Sequence, residues 1–350
     1  TQGASGRLLA SDGTVTLNGA TIVGGSLQSS GSGIVRVSAS NATLVGVTNA
    51  GQMLVEDARG LGVNDGLINT GAITVNTQGG NGTLIQFNNS GPLSGAGNIL
   101  LNASGNLDTA YINTAGAAVI THAAGHTIHG AGNIYASITN NGLISADQPG
   151  RNLQLLSAPK TNASVISAVN DGPLILAGFT LTQTTGGLIR NDSSTVNFGG
   201  CTLTGGAIQT LGDGITQIVG GNATFTSVTN QGPLHINDGR LIGLNNGLTN
   251  QGVVHVNPQA GGNGTYLQFN NNGTLSGNGD IALNASSNLD TATINTVGAA
   301  VATNGPEQII RGTGNISGTL VNDGEIRADL ATKALRLNGS PKTNSTHPTK

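Results

Sequence analysis

The chain has 350 residues, of which 57 are glycine, 8% are charged and 2% are aromatic, and its formal net charge is −3. A typical globular domain is about 25% charged, and so few large side chains cannot fill a wide globular core at native packing density. The 36% hydrophobic fraction argues against disorder, the balanced charge without a basic stripe argues against nucleic-acid binding, and no stretch approaches the ~20 apolar residues of a membrane span.

A long internal repeat is visible when the chain is compared with itself. The segment Gln86–Asn89 returns as Gln268–Asn271, and Leu101–Ser104 returns as Leu283–Ser286, both at an offset of 182 residues. Upstream of Ala260 the offset is 181, because the second copy carries one extra residue beside a Gly-Gly pair. We therefore predict two tandem copies of one unit of roughly 182 residues.

The ends of the copies follow from the same alignment. Copy 1 spans 1–158 and is incomplete at its N-terminal side, and copy 2 spans 159–340. The polar tail 341–350 repeats the start of copy 2 and is expected to begin a third copy.

A short motif, Asn-x-Gly after an apolar or near-apolar pair, recurs within each copy at intervals of about 20 residues. Asparagine and glycine tolerate positive φ angles, so each motif predicts a corner, with asparagine stacked in a ladder and glycine at positive φ. The predicted structural corner positions are Asn49, Gly51, Asn69, Gly71, Asn89, Gly91, Asn140, Gly142, Asn170, Gly172, Asn230, Gly232, Asn250, Gly252, Asn271, Gly273, Asn322 and Gly324.

A short run with period-two alternation follows several of these motifs, for example Ala72–Val75 and Val253–Val256. Such runs of β-branched residues predict strands, and frequent glycine is incompatible with long helices. Strand-and-corner units of similar length stack as the coils of a parallel β-helix. The predicted fold class is therefore all-β, a parallel β-helix (β-solenoid) with about 20 residues per coil.

The pattern GAGNI…ITNNGLISA, from Gly130 to Ala146 and echoed from Gly312 to Ala328, resembles the repeats of filamentous-haemagglutinin and autotransporter-type β-helical proteins of bacterial surfaces. The resemblance spans nearly the whole chain. It implies secretion, an extracellular or cell-surface location, a stiff stalk and, often, adhesion. It transfers no functional residue.

Two groups of polar residues are candidate sites. His122, His126 and His129 lie within eight residues, but copy 2 has Asn304, Gln308 and Arg311 there, so we expect a polar surface without a metal. Asp108 and Asp290 lie in a duplicated Asn-Leu-Asp-Thr-Ala segment. Glycoside hydrolysis needs two carboxylates, and no partner in register is apparent, so we expect aspartates that cap turns.

The lone Cys201 excludes an internal disulfide framework and is expected to be a small buried filler. No cofactor signature is present, because the glycine-rich stretches lack the Gly-Lys-Ser/Thr of a phosphate loop.

The sequence favours a non-enzymatic structural protein, the subunit of an extracellular filament or sheath assembled head to tail from β-solenoids, with adhesive contact to glycans or a host surface. The alternative is a polysaccharide-binding or polysaccharide-cleaving β-helix. A third candidate is a trimeric attachment fibre.

Overall fold

Strands of three to ten residues follow one another along the chain, separated by turns rich in glycine and asparagine. The computed structural model describes residues 1–3, 5–77 and 79–345, so the second half of the predicted tail, 346–350, lies outside the described residues. The fold is an all-β parallel β-solenoid with about 15 turns of about 22 residues. The predicted fold class is therefore confirmed.

The chain divides into two units, residues 1–175 and 176–350. Unit 1 has one turn of 3-10 helix at Leu107–Thr109, and the strand Leu174–Ala177 contains the division. The other strands of unit 1 are Arg7–Ser11, Thr14–Leu17, Thr21–Val23, Ser26–Ser30, Ile34–Val37, Ala42–Asn49, Gln52–Val55, Gly60–Asn69, Ala72–Val75, Thr83–Phe87, Gly91–Ser94, Asn98–Asn102, Ala110–Thr114, Ile120–His122, Thr127–Ile134, Ile138–Asn140, Leu143–Ala146, Leu153–Leu156, Lys160–Asn162 and Val165–Ala168.

Unit 2 repeats this arrangement, with its 3-10 turn at Leu289–Thr291. Its strands are Thr180–Gln183, Leu188–Asp192, Thr195–Gly199, Thr202–Thr204, Ala207–Leu211, Ile215–Ile218, Ala223–Gln231, Leu234–Ile236, Leu241–Asn250, Val253–Val256, Thr265–Phe269, Gly273–Ser276, Asp280–Asn284, Ala292–Thr296, Val301–Asn304, Ile309–Ile316, Thr319–Asn322, Glu325–Arg327, Leu335–Leu337 and Lys342–Asn344.

The core of each unit is a set of apolar columns, because alternate residues of a strand point inward and each strand pairs in parallel with the equivalent strand of the next coil. In unit 1 one such column of buried residues runs through Met53, Ile73, Ile99, Ile128, Ile144 and Ile166. Burying one such side chain contributes roughly 1.5–3 kcal/mol, so the column supplies a large part of the driving force for stacking.

The coils are less regular than the sequence predicts. Successive members of that column lie 20, 26, 29, 16 and 22 residues apart. The spacing of 20 between Asn49 and Asn69 represents only the short coils, because long coils carry extra residues in their turns, such as Ser104–Asn106 before the 3-10 turn.

Candidate functional site

Five of the predicted corner asparagines are buried with at most 1% of their surface exposed. In unit 1, Asn49 Nδ2 donates to Asn69 Oδ1 at 2.8 Å, and in unit 2 Asn230 Nδ2 donates to Asn250 Oδ1 at 2.8 Å. Asn140, the fifth, donates from Nδ2 to Asn162 Oδ1 at 2.8 Å. The predicted asparagine ladder is confirmed for these residues.

The other corner asparagines lie elsewhere. Asn89 and Asn271 are exposed and lie over Asp65 and Asn246, whose backbone N–H groups donate to them at 2.9 and 2.8 Å. These two therefore do not stack on Asn69 and Asn250, despite their spacing.

Asn170 is an exposed turn residue with φ of 54°. Asn322 is partly buried and accepts from Asn304 Nδ2 at 2.8 Å, so it continues the ladder of unit 2.

The prediction for the corner glycines is wrong in its physical reason. None of the nine adopts a positive φ. They are instead places of close approach between coils: a Cβ on Gly71 would lie 2.1 Å from the carbonyl oxygen of Gly51, and one on Gly252 would lie 2.2 Å from that of Gly232. The same holds, at 2.2 to 2.7 Å from the nearest heavy atom, for Gly51, Gly91, Gly142, Gly172, Gly232, Gly273 and Gly324.

His122 and His126 are also placed differently from the prediction, because both are fully buried and neither forms a polar surface. They join the ladder of unit 1, which we define as Asn49, Asn69, His126, His122, Asn140 and Asn162. Asn69 Nδ2 lies 3.0 Å from His126 Nε2, the two imidazoles meet at 3.0 Å, and His122 Nδ1 lies 2.6 Å from Asn140 Oδ1.

These contacts assign one direction to the hydrogen bonds. An amide N–H of Asn69 can only donate, so His126 Nε2 accepts, and the proton of neutral His126 is on Nδ1. That proton is donated to His122 Nε2, and His122 Nδ1 then donates to Asn140 Oδ1. Burial lowers the pKa of His126 to about 3 and also lowers the pKa of His122, so both rings stay neutral as the ladder requires.

Unit 2 has amides in place of the two imidazoles. Asn250 Nδ2 donates to Gln308 Oε1 at 3.3 Å, and Gln308 Nε2 donates back to the Asn250 carbonyl at 2.8 Å. Among the described residues, Asn304 Oδ1 is buried without a hydrogen-bond partner. The series of side-chain hydrogen bonds is therefore interrupted between Gln308 and Asn304. In unit 1 the imidazole pair completes the side-chain hydrogen bond at this step, which the amides of unit 2 leave open.

The third histidine of the group lies apart from the ladder. His129 Nδ1 is 2.8 Å from Asp147 Oδ2, and both side chains are partly exposed. Within the described ranges, no group of three or more His, Cys, Asp or Glu side chains is arranged to hold a metal ion. Cys201 is buried and free, and its burial raises the pKa of the thiol to about 12.

Asp108 does not cap its own turn, in contrast to the prediction. Asn106 is the capping residue, since its Oδ1 accepts from the Asp108 backbone N–H at 3.1 Å. Asp108 Oδ1 instead accepts from Asn133 Nδ2 at 2.7 Å and from the Tyr135 hydroxyl, both on the next coil. Thr109 fixes the turn, accepting from the Ser104 N–H at 2.8 Å.

Beside Asp108 lies an open depression of about 480 Å³, which we call the tyrosine depression. The rings of Tyr111 and Tyr135 meet edge to face at 5.7 Å between centroids. Burial, followed by the hydrogen bond to Asp108, raises the pKa of Tyr135 to about 12, so its hydroxyl remains a donor. The lining residues are Gly80, Gly82, Asn106, Asp108, Thr109, Tyr111, Asn113 and Tyr135.

Unit 2 has the same frame around this site, namely the Ser–Thr hydrogen bond and the asparagine cap, but it lacks the two tyrosines. Ser286 N donates to Thr291 Oγ1 at 2.9 Å, and Asn288 caps the turn as Asn106 does. Asp290 accepts from Asn315 Nδ2 at 2.7 Å and from the Arg336 guanidinium.

Thr293 and Ser317 stand where unit 1 has Tyr111 and Tyr135. No prediction from the sequence singled out this pair. Its signal was two of the three tyrosines 24 residues apart, about one coil, in copy 1 alone.

Comparisons with protein-family models, with curated proteins and with solved structures find no match to this chain. In the described residues, no helix has the length and hydrophobicity needed to cross a membrane.

Proposed function

We propose that this chain is a structural protein of the bacterial surface or extracellular space, a β-solenoid of the filamentous-haemagglutinin and autotransporter-passenger type. It acts as a filament subunit, sheath component or adhesin stalk and catalyses no reaction. The observation that carries the proposal is the continuity of each unit, in which parallel strands, apolar columns and buried polar ladders repeat from coil to coil. Such a structure resists extension and offers long faces for contact.

The same geometry supports a proposal of head-to-tail self-association. The edge of a parallel coil presents unpaired N–H and C=O groups and is a template for another coil. A contact between unlike edges does not close on itself and therefore propagates. We propose that copies of this protein associate in this way into filaments.

Electron microscopy of the purified 350-residue chain, together with sedimentation at increasing concentration, tests assembly. We expect filaments whose mass per length corresponds to one chain per axial repeat. A matched variant with Leu9→Pro and Asn344→Pro removes, near each end, an N–H that points away from the neighbouring coil, and it should stay monomeric. A wild-type chain that remains monomeric at high concentration contradicts assembly, and immunogold labelling of the producing cells tests the surface location independently.

The alternative, a polysaccharide-binding or polysaccharide-cleaving β-helix, has one feature in its favour, which is the tyrosine depression. Cleavage by the usual glycosidase route needs a second carboxylate several ångströms from the first. The described residues that line the depression include one carboxylate, that of Asp108. The geometry therefore favours binding over cleavage.

A further inference from the structure

The tyrosine depression differs from the rest of the repeat in a way that stacking does not explain. The frame around Asp108 is present in both units, since the Ser-Thr hydrogen bond and the asparagine cap recur at Ser286, Thr291 and Asn288. The two tyrosines occur only in unit 1. Because unit 2 forms the same coils with Thr293 and Ser317, the tyrosines are not required for the fold.

We propose that the tyrosine depression binds a ring of a neutral saccharide. The partly buried rings of Tyr111 and Tyr135 form an apolar wall in an otherwise polar hollow. The C–H faces of a pyranose ring are apolar and pack against aromatic rings, whereas its equatorial hydroxyls need hydrogen-bond partners at the rim.

The rim supplies those partners. Asp108 Oδ1 is occupied by Asn133 and Tyr135, while among the described residues its Oδ2 has no hydrogen-bond partner. A carboxylate oxygen can accept from two hydroxyl groups. The Asn113 amide and the Tyr111 hydroxyl also make no side-chain hydrogen bond within the described residues, so both donors and acceptors are available to a polyhydroxylated ligand.

The charge of the depression selects among saccharides. Asp108 is the one charged group among its described lining residues. An anionic sugar such as a uronate would place its carboxylate near that of Asp108 without a lining cation to compensate, and like charges at close range are unfavourable. The depression therefore fits neutral rings better than uronates.

A glycine keeps the space open. Gly82 does not have a positive φ, and a Cβ there would make only ordinary contacts, at 3.5 Å from the Asp108 carbonyl and 3.6 Å from the Tyr111 ring. Neither backbone conformation nor close coil approach requires glycine at this position. A larger side chain would project into the hollow between Tyr111 and Asp108.

Binding is tested with the full chain by calorimetry and by protein-observed NMR, using tetrasaccharides of glucose, mannose, galactose, xylose and N-acetylglucosamine, and a galacturonate tetramer as the anionic probe. We expect at least one neutral tetramer to bind and to shift the Tyr111 and Tyr135 resonances. The galacturonate tetramer should bind at least about tenfold more weakly, which is ~1.4 kcal/mol.

The variants come from the chain itself. Tyr111→Thr with Tyr135→Ser installs the residues of unit 2 and should weaken binding at least about tenfold. Gly82→Val should block it, and Tyr266→Leu, which installs the unit 1 residue at a tyrosine outside the depression, should leave it unchanged. Circular dichroism establishes that each variant is folded.

Three results overturn the proposal: no neutral tetramer binds, galacturonate binds more tightly than every neutral sugar, or binding survives in the folded Tyr111→Thr/Tyr135→Ser chain. None of them bears on filament assembly, because the depression lies within unit 1 and takes no part in the proposed contact between edges.

Discussion

Units 1 and 2 build the same coils, and they differ in what those coils hold. In unit 1 the buried ladder passes through two imidazoles, and the turn at Asp108 faces two tyrosines. In unit 2 Gln308 and Asn304 occupy these positions and the side-chain ladder is interrupted between them, and the turn at Asp290 faces an arginine.

The difference separates scaffold from specialisation. Features present in both units, such as the Asn49–Asn69 and Asn230–Asn250 hydrogen bonds, serve the fold. A feature present in only one unit can change without loss of the fold. Such a feature can therefore serve a function or a response to the environment.

The largest effect is expected where the units agree. Asn69→Leu leaves the Asn49 amide, the Asn98 carbonyl and His126 without their partner. Leaving buried polar groups unsatisfied costs ~1–3 kcal/mol each, so we expect a loss of about 3–5 kcal/mol in the free energy of unfolding. Asn250→Leu should cost unit 2 a similar amount, because Asn250 has corresponding partners.

Hydrogen exchange read by mass spectrometry assigns each loss to its unit. Asn89→Leu is the control: Asn89 belongs to the same sequence motif but is exposed, and an exposed substitution should change stability by no more than about 0.5 kcal/mol. Equal losses for Asn69→Leu and Asn89→Leu would show that the ladder does not support the fold.

The next effect depends on pH and should separate the units. Protonation of His126 would direct a second N–H at the Asn69 amide, which itself donates, and would charge a fully buried ring. The pKa of His126 is lowered to about 3 from its ordinary value of 6.5, so between these pH values the unfolded chain binds more protons than the folded one. The free energy of unfolding of unit 1 should therefore fall as pH decreases from 6.5 toward 3, by about 3 kcal/mol at pH 4.5.

The ladder of unit 2 should contribute no such loss, since Asn304 and Gln308 do not titrate. Any acid loss in unit 2 should be smaller and come from His235 and His255, which are only partly buried and whose pKa values burial lowers. The variant His122→Asn/His126→Gln gives unit 1 the amides of unit 2 and should remove the acid sensitivity, as measured by exchange protection from pH 7 to pH 4. Acid sensitivity of unit 1 that persists unchanged in this variant would contradict the role assigned to the two imidazoles.

The sequence predicts the coil and the buried asparagines because these depend on local pattern and on periodicity. It fails where position depends on the neighbouring coil. Asn89 has the same motif and spacing as Asn69, yet the long turns that follow shift the register so that His126, 57 residues away, meets Asn69 instead.

The tyrosine depression was missed for a related reason. Tyr111 and Tyr135 become neighbours only when one coil stacks on the next, and their contact cannot be read from either strand alone. The replacement of both tyrosines in copy 2 is visible in the sequence. A difference between repeats indicates a site only when the surrounding hydrogen bonds are known to be the same in both copies.

The smallest effects concern the corner glycines. In Gly71→Ala the new methyl group would meet the Gly51 carbonyl oxygen at 2.1 Å, and in Gly252→Ala it would meet that of Gly232 at 2.2 Å, so neighbouring coils must move apart. Overpacking of this kind costs about 1–3 kcal/mol, and we expect similar losses in the two units by chemical denaturation with exchange readout.

Gly105→Ala is the matched control, because no heavy atom lies within 4 Å of its added Cβ and its φ is not positive. It should be neutral or stabilising by about 0.4–1 kcal/mol, since alanine restricts the unfolded chain. If positive φ were the reason for the corner glycines, substitution by alanine would destabilise the chain at every corner. Close approach instead makes their sensitivity depend on the coil beneath, so a Gly71→Ala chain as stable as wild type would contradict the stacking geometry itself.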